Sequence, residues 1–424
     1  MQARADILDN LQAGRWLTHE RVRRVAVALV CAYLVAFAYL AMTANGSVDA
    51  FGRPLGTDFS NVYAAGTYVL EGQAQAPYDP ALQYAREQAI FGPDTPFYGW
   101  HYPPFFLFVA AALALLPYGL ALAVWQIATF LLYLLSIRSI LAATPNSNGI
   151  GDNRTLGYLA LLVAAAFPAV FVNLSHGHNG FLSAALMGAA LVQLDRRPIV
   201  AGILFGLLIY KPQFGLMVPF VLAATGRWRS FASAAATAAL LVLAATLAFG
   251  PQIWEAFAAS TQFTRVVVLE AGDPGWHKIQ STFSWVRMWG GSVAIAYALQ
   301  AAVTLGVGFT LIWLWRSAAS FALKAAALCL SAMLASPYGY DYDMMILAPA
   351  IAFLGSDCLA QGCRPWEKTL LAALWLVPFV TRGIALATFI PLGVIAMIAV
   401  YVAILRRGAM EMSERAQTPA AATP

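Results

Sequence analysis

Long apolar runs recur along this chain from residue 25 to residue 405, and no other feature narrows its possible folds as far. A helix of roughly 17–25 apolar residues spans a bilayer, where every backbone N–H and C=O must be satisfied within the segment itself. Composition agrees. The chain is 61% hydrophobic and 11% charged, against roughly 45–50% apolar and about 25% charged in soluble domains. We therefore expect an all-α polytopic membrane protein. The first 24 residues are polar, with Arg15, Arg21, Arg23 and Arg24, and no small-residue cleavage site follows, so no signal peptide is expected. The net charge of +5 suits loops facing an anionic inner leaflet. The basic residues are scattered in pairs, which excludes a nucleic-acid stripe. Cys31, Cys329, Cys358 and Cys363 show no metal-ligand spacing. With Cys358 and Cys363 expected on the reducing side, no disulfide framework is expected.

Candidate spans are 25–43, 119–142, 156–172, 179–194, 199–210, 212–225, 230–249, 293–315, 321–335, 342–354, 369–380 and 384–405. The run Phe105 to Leu116 is short for a span, and Pro103 and Pro104 stand where a helix begins. The excess of Lys and Arg on cytoplasmic loops decides its role. If it does not cross, most of the 25 Lys and Arg fall inside, leaving Arg53, Arg86, Lys211, Arg265, Lys278, Arg287 and Arg382 outside. If it crosses, the majority fall outside. The first arrangement gives about twelve crossings, cytoplasmic termini (1–24 and 406–424) around one membrane domain at 25–405, and a re-entrant or interfacial helix at 103–117. The spans 199–210, 342–354 and 369–380 are short and need tilting or burial by neighbours.

That arrangement sends the unusual polar residues to one side: Asp58, His101, "SHGHNG" (175–180), "YKPQ" (210–213), "GWHK" (275–278), "SPYGYDYD" (336–343) and Arg382. Two outer segments are long enough to fold, 44–118 and 250–292. In the first, Phe59, Val62, Tyr63, Gly66, Val69 and Leu70 recur at helical spacing opposite Ser60, Thr67 and Glu71, which predicts an amphipathic helix on the membrane surface. In the second, Gly272, Pro274 and Gly275 mark a mobile tip or lid.

Asp58 heads the first of these helices. It is either an N-cap for Ser60 or Asn61, or a general base that takes the proton of an attacking hydroxyl. Lys211 interrupts an apolar stretch, and either snorkels or pairs with an anion in a cavity. His176 and His178 have no clear third metal ligand and suit a hydrogen-bonding loop, where Gly177 and Gly180 permit close backbone approach. His277 and Lys278 are either surface charges or phosphate ligands. Asp341 and Asp343, with Tyr338, Tyr340 and Tyr342, suit sugar hydroxyls and faces, or an interfacial belt at a capped helix. Arg382, flanked by apolar helices, is matched to an anionic lipid headgroup.

These pieces resemble the GT-C superfamily, and more closely glycosyltransferase family 87, which includes mycobacterial polyprenyl-phosphate-mannose-dependent mannosyltransferases. The matching residues are "DFSNVYAAGTYVLEGQ" from Asp58, "PYDP" (77–80), "YPP" (102–104), "HGHNG" (176–180), "KPQ" (211–213) and "SPYGYDYD" (336–343). The resemblance implies a GT-C-like bundle with two juxtamembrane helices in the first outer loop and with Asp58 as catalytic base. It also implies a polyprenyl-phosphate sugar as donor, carrying mannose or another hexose or pentose, and a lipid or glycan acceptor among membrane lipids. The donor phosphate is then expected to meet Lys211, Arg382, His277 and Lys278, which stabilise charge on the leaving group without a metal or other cofactor. Sugar and acceptor are expected at Tyr63, His101, Tyr102, His176, His178, Asn179, Gln213, Tyr340, Asp341 and Asp343. One base with a stabilised leaving group suits a single inverting displacement, unlike the paired carboxylates of glycosidases. A lipid or glycolipid flippase is the main rival, but it calls for polar residues at the midplane and related halves. A ligase of lipid-linked glycans shares the outer-face logic and moves a preassembled chain.

Overall fold

The computed structural model describes residues 2–143 and 154–417. The link between the expected spans 119–142 and 156–172, and the Ala/Thr/Pro stretch 418–424, lie outside the described residues. Among the described residues the chain is helical, with isolated bridges and no strand. Seven helices are long and apolar enough to cross a membrane: His19–Thr43, Tyr118–Ala143, Trp228–Phe249, Val293–Arg316, Asp341–Gln361, Glu367–Thr388 and Leu392–Arg415. Leu156–Ala165 and Pro168–His176, bent by 45°, make an eighth if counted as one span. The bend falls where Pro168 opens a new helix, a position at which its missing N–H costs nothing. The chain is thus a multi-pass membrane protein. Shorter apolar helices cover Pro104–Ala114, Gly180–Gln193, Pro198–Tyr210, Pro212–Ala224 and Phe321–Leu334.

Asp341–Gln361 is the most enclosed of the long helices, with 67% of its apolar window buried, against 6% for Trp228–Phe249. Phe321–Leu334, Tyr118–Ala143, Gly180–Gln193 and Glu367–Thr388 surround it. Two expected short spans are in fact longer. The 342–354 stretch continues to Gln361, and 369–380 continues through Pro378 and Arg382 to Thr388, so the turn falls at Phe389–Pro391 and not before Arg382. The last helix continues to Gln417, which makes the first part of the expected tail helical.

The helix Phe59–Leu70 is enclosed by other parts of the chain on more than one face. Phe59, Ser60, Asn61, Val62, Ala64, Ala65, Gly66 and Tyr68 are all buried. A Cβ at Gly66 would strike the carbonyl of Ala110, so glycine lets the Leu107–Ala114 helix approach on one face. Pro80–Phe91 covers another, where the Gln83 side-chain amide donates to the Asn61 carbonyl at 3.0 Å. The expected mobile tip at 272–275 leads into a tethered segment. Ile279 bridges to Tyr340, and the Gln280 N–H donates to the Gly339 carbonyl at 2.7 Å.

The far end of the bundle is tied together separately. Trp366 N–H donates to the Gln12 carbonyl, and Arg407 is buried among Asp357 (2.7 Å), Glu367 (2.6 Å) and Glu411 (3.3 Å). Cys358 and Cys363 are disulfide-bonded there, against the sequence-based expectation. Gly362, at φ +87° past the end of the Leu347–Gln361 helix, turns the chain back and brings the two Cα atoms to 4.5 Å.

Candidate active site

Asp58 stands at the N-cap position of Phe59–Leu70, but its side chain makes no capping bond. Its backbone is already in the right-handed helical region, at φ −68° and ψ −19°. Cap residues are normally extended there, so the carboxylate is turned away from the N–H groups it would otherwise cap. Its Oδ1 lies 3.6 Å from Nδ1 of His176. The Thr57 hydroxyl reaches the same nitrogen at 2.8 Å.

His176 ends one helix and Gly180 begins the next, so "HGHNG" is a tight loop between two helices. Gly177, at φ +61°, makes the turn. A Cβ there would press into the Cβ of Phe59 and the carbonyl of Gly56, so glycine is what lets the turn that carries Asp58 approach. Asn173 holds the loop from beneath. Its amide donates to the His178 carbonyl at 3.1 Å, and its Oδ1 accepts the Gly180 N–H at 2.7 Å. Trp125 Nε1 donates to the Gly177 carbonyl at 3.2 Å.

The loop leads into a buried polar line. His178 stacks on Tyr342, ring centroids 3.7 Å apart, and its Nε2 lies 3.1 Å from the Tyr102 hydroxyl. Lys211 Nζ is 3.5 Å from His178 Nδ1 and directly contacts Asp343. The ammonium has only donors, so Nδ1 faces it as an acceptor and Nε2–H donates to Tyr102. Asp343 also accepts the Tyr340 N–H at 2.9 Å. The Lys211 and Asp343 side chains are only 7% and 2% exposed. Lys211 occurs at the break between two short helices, Pro198–Tyr210 and Pro212–Ala224, where the chain presents it inward.

A second, wetter set of charges borders this line. Arg382 Nη1 is 3.4 Å from Asp341 Oδ2, and its side chain remains 41% exposed. His277 and Lys278, on the short turn Trp276–Lys278, are half-buried. Partial burial, and then the Arg382 cation, lower the basicity of both. Lys278 also senses Asp341, Asp58 and Arg53, the last an exposed cation that sequence reasoning did not single out. Among the described residues Lys278 has no ion-pair partner.

Most residues expected at the site therefore meet: Asp58, Tyr102, His176, His178, Lys211, Tyr340, Asp341, Asp343, Arg382, His277 and Lys278. Asn179 is buried beside them; its carbonyl accepts from the Tyr210 hydroxyl at 3.1 Å. Others point elsewhere. Tyr63 donates to the Leu116 carbonyl and packs edge-on to Tyr118, which ties two helices together. His101 reaches Thr264 at 2.8 Å, and burial lowers its imidazole to about 4. Gln213 is half-exposed two residues beyond Lys211. A cavity of about 800 Å³ lies apart from all of these, between the 72–80 turn and the Ile253–Phe263 helix.

The sequence profile of glycosyltransferase family 87 matches residues 100–337, more than half of the chain. That stretch holds His101, Tyr102, His176, His178, Asn179, Lys211, Gln213, His277 and Lys278; Asp58, Tyr63, Tyr340, Asp341, Asp343 and Arg382 lie outside it. Searches of the curated proteins and of the solved structures find no match. On the strength of that match the chain belongs to glycosyltransferase family 87, and it is a membrane glycosyltransferase.

Proposed function

We propose that this glycosyltransferase moves a sugar, mannose or another hexose or pentose, from a polyprenyl-phosphate donor to an acceptor hydroxyl at the outer face of a bacterial inner membrane. In the reaction the acceptor oxygen attacks the anomeric carbon, and its proton passes to Asp58. The bond from that carbon to the phosphate oxygen breaks, the electron pair stays on the phosphate, and the configuration inverts. The observation that carries the reading is the Asp58 carboxylate: it caps no helix, and it stands beside His176 among partly exposed cations.

Arg382 and Lys278 are the natural phosphate partners, with His277 and Arg53 at the rim. They retain contact with water, and among the described residues Lys278 has no carboxylate paired to it. Lys211 has a different part in this reading. Asp343 already neutralises it, so it fixes the His178 ring and Tyr342, which line the sugar site. Neutralising the leaving group with Arg and Lys makes no demand for a metal or other cofactor.

Twelve crossings support the outer-face assignment. They comprise the seven long helices, the bent pair, and four of the shorter apolar helices. Pro104–Ala114 stays juxtamembrane with Phe59–Leu70 and Pro80–Phe91. That count puts both termini on the Arg-rich cytoplasmic side. It also puts the loops bearing Asp58, His176, Lys211, Lys278 and Asp341 together on the other.

The test uses native membranes given radiolabelled polyprenyl-phosphate hexoses and pentoses. A new glycoside, with the anomeric configuration opposite to that of the donor, is the expected outcome. Movement of donor across the membrane without any glycoside would instead favour a flippase. In the same assay Arg382→Gln should raise the donor KM and also lower kcat, each about tenfold, because the charge that Arg382 neutralises on the phosphate grows as the bond to the sugar breaks. An unchanged KM would remove Arg382 from the donor site.

A further inference from the structure

Glu87 lies outside every motif discussed above, yet its carboxylate is fully buried in the 44–118 segment. It accepts three hydrogen bonds. The Tyr98 N–H donates to Oε2 at 3.1 Å, and the Gly99 N–H and the Gln83 side-chain amide donate to Oε1, each at 3.2 Å. Tyr98 and Gly99 begin a strap without regular structure that carries Trp100, His101 and Tyr102. The strap ends at the site, where the Tyr102 hydroxyl meets His178 Nε2. Its other ties are the contact of His101 with the Thr264 hydroxyl at 2.8 Å and bonds to the carbonyls of Trp100, from Ser260 at 3.2 Å, and of Tyr102, from Tyr78 at 3.1 Å. The only side chain that gathers its N–H groups is Glu87, among the described residues.

Resting on the proposed transfer reaction, we infer that Glu87 is a positioning residue: ionised, it clamps the 98–102 strap and so sets the Tyr102–His178 contact at the sugar site. Two oxygens of a carboxylate can accept from two N–H groups at once. Protonation turns one of them into a donor, and the clamp loosens.

Burial raises this carboxyl to about 7, and the negative charge of Asp58 adds to the rise; the bonds from Tyr98, Gln83 and Gly99 oppose it. The groups around it are few. Phe59–Leu70 presents Asn61, with Asp58 at its head, and the helix of Glu87 presents Gln83. Asp49 and Arg53 act on the neighbouring Tyr98. Arg86, on the same helix, is engaged by Glu71. His101, farther along the strap, stays neutral at working pH.

The sign of each effect follows. A carboxyl raised in the folded state favours folding below its unfolded value of 4.5, and that contribution is lost as pH rises through 7. Activity runs the other way, since only the ionised form holds both N–H groups. Glu87 thus trades stability for geometry, and a merely structural residue would not show the two trends opposed.

The experiment compares full-length wild type with the isosteric Glu87→Gln in lipid nanodiscs between pH 5.5 and 8. With a synthetic polyprenyl-phosphate hexose as donor, the ratio of wild-type to variant kcat should rise about ten- to a hundredfold with pH, in line with the cost of small misplacements. Over the same range the Tm difference should move against wild type. Combining Glu87→Gln with Tyr102→Phe should cost little more kcat than either change alone, because both act on one contact. A second arm needs no substrate: hydrogen–deuterium exchange of the peptide spanning 96–103. After correction for intrinsic pH dependence, the Tyr98 and Gly99 amides should lose protection in Glu87→Gln at pH 8 and in wild type at pH 5.5. A kcat ratio that does not change with pH, fully additive variants, or unchanged amide protection overturns the inference. Absence of product from wild type with intact amide protection would instead count against the proposed reaction and leave the clamp standing.

Discussion

Asp58→Asn should lower transfer on the order of 10³-fold while leaving the protein folded and the donor KM nearly unchanged. Asparagine keeps the size of the side chain and removes its capacity to hold a proton from the acceptor. The fold has little reason to notice. The carboxylate makes no cap bond, and the turn before the helix is held by the Phe59 and Ser60 amides on the carbonyls of Gly56 and Thr57. Steady-state kinetics with the polyprenyl-phosphate sugar, alongside thermal unfolding, measures both. Full activity in Asp58→Asn would remove the base from the reaction. An equal loss of folded protein would mean that the carboxylate is structural.

Lys211→Ala should destabilise the protein by roughly 3–5 kcal/mol, because it leaves Asp343 buried without its counter-charge. A pure phosphate ligand would behave differently, raising the donor KM in a protein of normal stability. Replacing both partners with apolar groups, Lys211→Met with Asp343→Leu, should recover most of the stability, since no unpaired charge remains. Transfer should stay low in the pair, because His178 and Tyr342 lose the groups that orient them. Thermal unfolding of wild type and the two variants in detergent gives the comparison. A Lys211→Ala protein as stable as wild type would contradict the structural role of the Lys211–Asp343 pair.

Several of these features were legible in the sequence for one reason. An ionisable residue inside an apolar run is costly and needs a partner, which singles out Lys211 and the Asp341–Asp343 stretch. The glycines of "HGHNG" marked a close approach, and Gly177 does admit the turn that carries Asp58. The long spans were also plain, because their apolar character is continuous.

What was not legible depends on contacts from distant parts of the chain. Arg382 read as a span boundary, yet the helix runs through it, and its partner Asp341 lies on another helix. Phe59–Leu70 showed one apolar face and so read as lying on the membrane; Gln83, from a helix that looks ordinarily polar, covers another side. Glu87 sits in that same polar pattern, "QYAREQAIF", and nothing local says that it is buried. The Cys358–Cys363 bond was not expected, because the sequence reading put both thiols on the reducing side, whereas the turn at Gly362 is what brings them together.

All of this chemistry presumes that Asp58 and its cations face outward. In a cysteine-free background, Arg53→Cys probes the exposed residue beside the site and Ser413→Cys probes the opposite end of the bundle. A membrane-impermeant maleimide applied to spheroplasts should label position 53 directly and position 413 only after permeabilisation. The reverse pattern would put Asp58 in the cytoplasm and contradict the account.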